Sequence, residues 1–357
     1  MATFHPLTVT GVRRETRDSV VLTLAPPPEA REAFCFVQGQ YLTFRTVIDG
    51  EEVRRSYSIC AGAYEPELRV GIKKVQGGLF STWANEEIVP GQVIEAMPPM
   101  GNFHLPLDPE AHHHYLGFAA GSGITPLLGV IKTTLAAEPH SRFTLVYGNR
   151  ASGTIMFREE LEDLKNENLG RLALVHILSR EQQDIDLFNG RIDKEKCGQL
   201  LDHWLDIGSI DAAFICGPQD MMLQVAESLR ERGLDQRRIK FELFATAEPG
   251  RRARKVETGI EAHAETCRAT ITIDGHSREL EIAKHGMSVL DAALKEGMEL
   301  PFACKAGVCS TCRAMVTEGE VDMDANYALE DYEIARGYIL TCQSYPTSDR
   351  LAVDFDQ

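Results

Sequence analysis

Four cysteines, Cys304, Cys309, Cys312 and Cys342, carry the most chemical information in this 357-residue chain. The first three stand as C-x4-C-x2-C and the fourth follows a long intervening segment. That spacing lets four thiolates hold a 2Fe–2S cluster. The small residues between them, Ala306, Gly307, Ser310 and Thr311, let backbone amides approach the sulfurs and tune the iron. A cluster of this kind passes one electron at a time near about −400 mV. Structural zinc sites instead pair their cysteines as two short knuckles or mix in histidine, a pattern that three cysteines close together and one far away fits poorly. A disulfide framework fits less well still. The nine cysteines are an odd number, and the opening Met-Ala-Thr-Phe-His has no basic and apolar signal region.

Other residue groupings suit a nucleotide-borne cofactor. In Arg55-Ser56-Tyr57-Ser58 the arginine fork can clamp a phosphate, the tyrosine offers a flat face to an aromatic ring, and Ser58 offers a hydroxyl beside it. Gly77-Gly78-Leu79-Phe80-Ser81-Thr82 precedes a short helix whose free amides and hydroxyls suit a pyrophosphate. Together these read as a flavin nucleotide site; either alone would read as a strand-edge arginine or a core tyrosine. Gly121-Ser122-Gly123-Ile124-Thr125-Pro126 closes a strand and opens a helix. Its glycines admit a ligand to the backbone, and Pro126 suits a first helical turn. Tyr147-Gly148-Asn149-Arg150 and Cys216-Gly217-Pro218 end two further strands. Three strand ends converging on one crevice point to a nucleotide at the carboxyl edge of a parallel sheet.

The elements that must position these residues fall into successive blocks. Residues 1–110 read as all-β. Val20–Leu24, Tyr41–Phe44, Leu68–Ile72 and Val93–Met97 are rich in strand formers and are separated by Pro26-Pro27-Pro28, Asp49-Gly50 and Pro90-Gly91, which suggests a small antiparallel barrel. Residues 111–244 alternate: strands at Tyr115–Ala120, Phe143–Tyr147, Leu172–Leu178 and Ala212–Cys216, helices at Pro126–Leu135, Phe157–Lys165 and Gln219–Arg232. This is the rhythm of a doubly wound α/β parallel sheet. Residues 245–264 hold Pro249-Gly250 and the basic run Arg251-Arg252-Ala253-Arg254-Lys255, and read as a linker. Residues 265–357 carry the cysteines.

Composition narrows the class. A 43% hydrophobic content suits globular domains, and no apolar run is long enough for a membrane span. The net charge of −16 argues against nucleic acid as a partner. From Ile260 onward 18 acidic residues face 8 basic ones, so the cysteine-bearing segment holds most of the excess. Such a module would be steered toward a basic patch. Unpaired thiols point to a reducing compartment, the cytoplasm.

On these motifs the chain resembles the ferredoxin-NADP reductase superfamily, followed by a plant-type ferredoxin domain. The resemblance implies an FAD-binding barrel, an NAD(P)-binding domain and an α+β β-grasp ferredoxin domain. It implies that Arg55, Ser56, Tyr57 and Ser58, with Gly77, Gly78 and Ser81, hold FAD. Gly121, Gly123, Thr125 and Pro126 would hold the nicotinamide nucleotide, and Cys216, Gly217 and Pro218 would lie by the hydride-transfer site. Glu242 and Phe244, in Phe241-Glu242-Leu243-Phe244, match the acidic-x-aromatic end of the second domain, with Phe244 able to cover the flavin face. Ser58, Cys216, Glu242 and Phe244 are the expected catalytic group. Arg150 lies on the same edge, and Ser179-Arg180 matches the pair that grips a 2′-phosphate in NADP-dependent relatives, so NADPH is the expected donor.

The order of domains is that of single-chain reductase components of bacterial oxygenases. Asp49–Arg55, Gly190-Arg191-Ile192-Asp193, Asn326–Glu330 and Gly337–Gln343 are similar to the reductase-subunit family of phenylacetyl-CoA epoxidase. The resemblance implies electron transfer to a multisubunit diiron oxygenase, with no contact with its substrate. Ring- or steroid-hydroxylating oxygenases are alternative acceptors, and a redox-sensing or interaction protein is an alternative class. His112-His113-His114 reads as a surface loop before a strand, because consecutive histidines cannot all face one ion. Cys35, Cys60, Cys197 and Cys267 read as small buried residues or bystanders, and Met221-Met222 as helix packing.

Overall fold

The computed structural model describes residues 3–244, 265–284 and 286–357. The linker and its basic run lie outside the described residues. The chain divides into two compact units. One comprises His5–Val53 and Tyr57–Phe244; the other comprises the C-terminal part with Met1–Phe4 and Arg54–Ser56.

The first unit opens with strands β1 (His5–Thr16), β2 (Ser19–Ala25), β3 (Tyr41–Ile48), β4 (Glu51–Ser58) and β5 (Leu68–Lys73), helix α1 (Leu79–Glu86), and strand β6 (Val93–Ala96). They form a six-stranded sheet in the order β4-β3-β6-β1-β2-β5, and an antiparallel bridge from Ile59 to Val70 brings its two edges together. The inward side chains Leu7, Val9, Leu22, Leu42, Phe44, Val70 and Ile72 are buried in its core. Sequence reading misses β1, the longest of these strands. Beyond Gly11 its residues are Val-Arg-Arg-Glu-Thr, too polar to read as a strand until β2 and β6 pair with it on either side.

The second part of this unit alternates β7 (His114–Ala120), α2 (Ile124–Ala137), β8 (Arg142–Asn149), α3 (Arg158–Glu167), β9 (Leu172–Leu178), α4 (Lys194–His203), β10 (Ala212–Gly217), α5 (Gln219–Glu231) and β11 (Ile239–Leu243). All strands are parallel, in the order β11-β10-β7-β8-β9. The order reverses between β7 and β10, which opens a crevice beyond their carboxyl ends. Helix α4, not evident from the sequence, starts where Asp193 accepts a hydrogen bond from the Lys196 amide. Met221 and Met222 pack inside α5 as expected.

His112-His113-His114 is more than a surface loop. His114 is the first residue of β7, with Nε2 2.9 Å from Thr144 Oγ1 and Nδ1 3.1 Å from Ser209 Oγ. Burial pushes it down to about 4. His113 Nδ1 lies 2.9 Å from the Tyr115 hydroxyl, and His112 stacks on His140. Such side-chain partners at a strand edge are set by the fold, and the triplet alone does not display them. Cys60, Cys197 and Cys267 are buried, whereas Cys35 is exposed.

Barrel and parallel sheet are joined by a buried ion network. Glu160 of α3 accepts from Lys132 Nζ at 2.5 Å and from Arg69 at 2.8 Å; Glu65 accepts from the same two groups at 2.6 and 2.9 Å. Although burial opposes ionisation, the bonds from Lys132 and Arg69 hold Glu160 below the usual carboxylate range. Beside the network Gly71 of β5 is indispensable: a Cβ there would come within 2.9 Å of Thr125 and 3.0 Å of Phe157. Phe157 itself takes a left-handed backbone (φ 56°) and donates its amide to Glu15 Oε1 of β1 at 2.7 Å.

The second unit has strands β12 (Thr266–Ile273), β13 (His276–Ala283), β14 (Arg313–Glu318), β15 (Val321–Met323), β16 (Tyr338–Leu340), β17 (Ser344–Pro346) and β18 (Arg350–Asp354), with helices α6 (Val289–Lys295) and α7 (Asp331–Ala335). A mixed sheet, β13-β12-β18-β14-β16, carries the core under α6, as a β-grasp requires. Among the described residues no helix is long and apolar enough to cross a membrane.

Replacing Glu160 with Gln removes one of the two carboxylates that Lys132 and Arg69 share. The expected cost is about 1–3 kcal/mol of stability, read as a lower urea midpoint for the unit that contains the barrel and the parallel sheet.

Candidate functional site

Three strand ends and one barrel strand build the first site. Ser58, buried at the end of β4, donates its hydroxyl to Glu242 Oε2 at 3.1 Å. Glu242 lies on β11 opposite Cys216 of β10, and Cys216 lies opposite Ala119 of β7. Burial pushes the Glu242 carboxyl up to about 8, against the pull of the Ser58 bond. Burial, aided by the Glu242 charge, raises the Cys216 thiol well above its usual value. At neutral pH this cluster is a neutral thiol, a carboxyl that retains its proton, and a hydroxyl bonded to it. Phe244 follows β11 and is partly buried against the core of the parallel sheet.

The neighbouring turn is shaped by steric necessity. Gly121 has φ 55° with open space in front of it, whereas a Cβ on Gly123 would lie 2.1 Å from the Cys216 carbonyl oxygen. Thr125 donates to the Ser122 carbonyl at 3.0 Å, and Pro126 is buried in the first turn of α2. The fully buried Tyr147 donates its hydroxyl to the Gly121 carbonyl at 2.8 Å. Sequence reading assigns Tyr147 no separate role, and its position two residues before Asn149 is the only signal that could mark it. Gly217 packs against Ala120 and Met221, and Pro218 is exposed.

Arg150, Ser179 and Arg180 are exposed together at the carboxyl ends of β8 and β9, because Ser179 and Arg180 donate their amides to the Asn149 and Arg150 carbonyls. Glu181 turns away from this group: its carboxylate accepts from the Ser152 amide at 2.7 Å and hydroxyl at 2.9 Å. Those bonds hold it below the ordinary carboxylate range.

On the barrel, Arg55 is exposed and Ser56 half-buried on β4. The Tyr57 ring packs 5.3 Å from Phe80 and 6.3 Å from Phe44. Gly77 (φ 75°) faces open space and Gly78 precedes α1. Ser81 does not present its hydroxyl outward. It is buried, accepts from the Val75 amide at 3.1 Å and donates to the Gly78 carbonyl at 3.2 Å, so it shapes the turn.

In the second unit the four cysteines are drawn together in two pairs. Cys304 and Cys309 lie within hydrogen-bonding reach of each other, as do Cys312 and Cys342. Among the described residues no three His, Cys, Asp or Glu side chains close on one metal ion. Two pairs are what a two-iron cluster needs, since each iron takes two thiolates. Lys305, Gly307 and Ser310 have positive φ, which bends the loop around the site. The Ala306 amide donates to Cys304 Sγ at 3.3 Å, and Gln343 Nε2 lies 3.6 Å from Cys342 Sγ. The Thr341 amide and hydroxyl both donate to the Cys312 carbonyl, at 3.1 and 2.9 Å.

Three family models match the chain: an oxidoreductase FAD-binding domain at residues 6–105, an oxidoreductase NAD-binding domain at 118–227, and a 2Fe-2S iron-sulfur cluster binding domain at 271–347. The chain is 45% identical to a subunit of the 1,2-phenylacetyl-CoA epoxidase of Escherichia coli over 100% of its own length and 99% of that protein's. It is 31% identical to the ferredoxin reductase component of 3-ketosteroid-9-alpha-monooxygenase of Rhodococcus rhodochrous, covering 98% and 96% of the two chains. The solved structure of phthalate dioxygenase reductase shares its fold, with 23% identity and a TM-score of 0.59 over 99% of this chain and 98% of that one. The donors fit the groups these matches name. The paired thiols suit an iron–sulfur cluster, the Gly121–Gly123 turn at the switch point suits a dinucleotide, and the Tyr57 ring beside the open Gly77 turn suits a flavin.

Because the folded Glu242 carboxyl titrates near 8 and an unfolded one near its ordinary value of 4.5, the folded chain holds a proton that the unfolded chain has lost between those limits. Stability therefore falls as pH rises through that window, by at most about 1.4 kcal/mol per pH unit. Glu242→Gln cannot ionise and should remove this slope. Melting curves from pH 5 to pH 9 should show the variant gaining on the parent, with the largest difference above pH 8.

Proposed function

Since this chain belongs to the family of oxygenase reductase components that includes the 1,2-phenylacetyl-CoA epoxidase relative, we propose that it takes electron pairs from NADPH and delivers them singly to a multisubunit diiron epoxidase that acts on phenylacetyl-CoA. It is an NAD(P)H-dependent oxidoreductase with FAD and a 2Fe–2S cluster. The flavin, when bound, supplies the conversion between two-electron and one-electron chemistry. The division of labour is FAD on residues 1–110, pyridine nucleotide on 111–244 and the cluster on 265–357, joined through 245–264. The cytoplasm is the compartment that keeps its thiolates reduced.

The observation that carries this reading is the bond from Ser58 of a barrel strand to Glu242 of a sheet strand, beside which Cys216 of the next strand stands in register. Arg55 and Ser56 bind flavin phosphate, Tyr57 packs on the ring system, and Gly77 and Gly78 admit the pyrophosphate to a turn that Ser81 braces. Gly121, Gly123, Thr125 and Pro126 seat the nicotinamide nucleotide, and Cys216, Gly217 and Pro218 keep its ring close to Ser58. Glu242 holds a proton at the carboxyl that Ser58 bonds, and Phe244 screens the site from water. Cys304 and Cys309 hold one iron, Cys312 and Cys342 the other.

Arg150, Ser179 and Arg180 favour a 2′-phosphate. Their exposed positions supply positive charge and a hydroxyl, and Glu181, the carboxylate next to Arg180, is engaged by Ser152. Arg180→Ala loses a charge-assisted bond, so KM for NADPH should rise about 10–100-fold, with KM for NADH little changed. Steady-state kinetics with both donors measures this; equal effects would remove Arg180 from phosphate recognition.

Cys309→Ser should erase the cluster's visible absorption and its electron paramagnetic resonance signal while NADPH still bleaches the flavin band. Reconstitution decides the partner. With purified phenylacetyl-CoA epoxidase oxygenase subunits the chain should support NADPH-dependent epoxidation. Support of a steroid- or ring-hydroxylating oxygenase in its place would overturn the assignment of the acceptor and leave the redox chemistry intact.

A further inference from the structure

The residue after the third cysteine is an arginine, and the structure gives it two partners. Arg313 is the first residue of β14 and is bonded through the peptide to Cys312. Its Nε lies 3.2 Å from Glu333 Oε1. Its guanidinium carbon lies 3.8 Å from the centre of the Tyr338 ring. Glu333 is 2% exposed, a rare situation for a carboxylate without a cationic partner. Its other oxygen accepts from the Glu330 amide at 3.0 Å and so closes the first turn of α7. Tyr338 starts β16, the strand that pairs with β14 and leads to Cys342; Arg313 lies opposite Leu340. The pair therefore lies at two paired strands, one beginning just after Cys312 and the other ending two residues before Cys342, the cysteines assigned to one iron.

We propose that the Arg313–Glu333 pair is an electrostatic positioning device that sets the reduction potential of the cluster. Reduction adds one electron, hence one negative charge, to a group held in a partly desolvated loop. A nearby cation favours the reduced state and a nearby anion disfavours it. As a pair the two charges nearly cancel, and the potential stays low. Removing either leaves an uncompensated charge next to the ligand strands. A residue that only braces the fold would change stability without giving the potential a sign that follows charge.

The test is potentiometric titration of the full chain, with the cluster followed by electron paramagnetic resonance. Glu333→Gln leaves the guanidinium alone and should shift the cluster midpoint upward. Arg313→Gln leaves the carboxylate alone and should shift it downward. The double variant Arg313→Gln/Glu333→Gln should return close to the parent, and the flavin midpoint should not move in any of them. Shifts of the same sign, or no shift in variants that retain the signal, overturn the proposal. If Arg313→Gln assembles no cluster, Arg313→Lys takes its place: it should keep the parent midpoint while Glu333→Gln raises it, and any other result overturns the proposal.

Discussion

The first unit depends on two carboxylates sharing two cations in a place with little water. Glu65 and Glu160 accept from Lys132 and Arg69 in all four combinations. Arg69 and Glu65 belong to the barrel and Lys132 and Glu160 to helices of the parallel sheet, so each cation has one carboxylate in its own layer and a second across the seam. Such a network adds little net stability over apolar packing, because desolvation offsets most of its attraction. What it adds is exclusivity. Any sliding of the barrel costs each cation one of its two carboxylates. The same seam holds Gly71, where no side chain would fit, and the Glu15 bond to the Phe157 amide. Ser58 reaches Glu242 because this seam fixes the end of β4 against the end of β11.

In the second unit backbone geometry performs the corresponding task. The positive φ angles at Lys305, Gly307 and Ser310 turn amides inward, and a Cβ on Gly307 would meet the Ala325 carbonyl oxygen at 2.7 Å. Amides donate to sulfur without introducing another charge. Thr341 fastens the Cys312 carbonyl twice, tying the distant fourth cysteine to the third.

Much of this was legible in the sequence, for physical reasons. Leu172–Leu178 and Ala212–Cys216 are short apolar runs bounded by turn residues, and a strand buried on both faces has no other way to be written. The glycine turn at Gly121 and the cysteine spacing are equally local. The failures are of another kind. The polar half of β1 becomes a strand through pairing partners far along the chain. Ser81 looks like a free hydroxyl until its turn closes on it. Glu65, Arg69, Lys132 and Glu160 carry no motif that would mark them in the sequence. Their burial is a property of the seam, and nothing in the neighbouring residues announces it.

Charge in the cysteine-bearing unit has two distinct meanings that follow from where it lies. Residues 265–357 hold seventeen acidic residues against eight basic ones. Exposed charges, however, act through water and salt, with a screening length of about 8 Å at physiological ionic strength. Two charges 4 Å apart interact by about 1 kcal/mol in water but about 4 kcal/mol at the effective dielectric of a protein surface layer. The surface excess thus governs encounters, orienting the unit toward a basic acceptor before contact. A buried carboxylate such as Glu333 is screened far less, and at the ligand strands one such charge outweighs several on the surface. Left alone, that carboxylate would push the cluster potential lower still, and the arginine beside Cys312 offsets it.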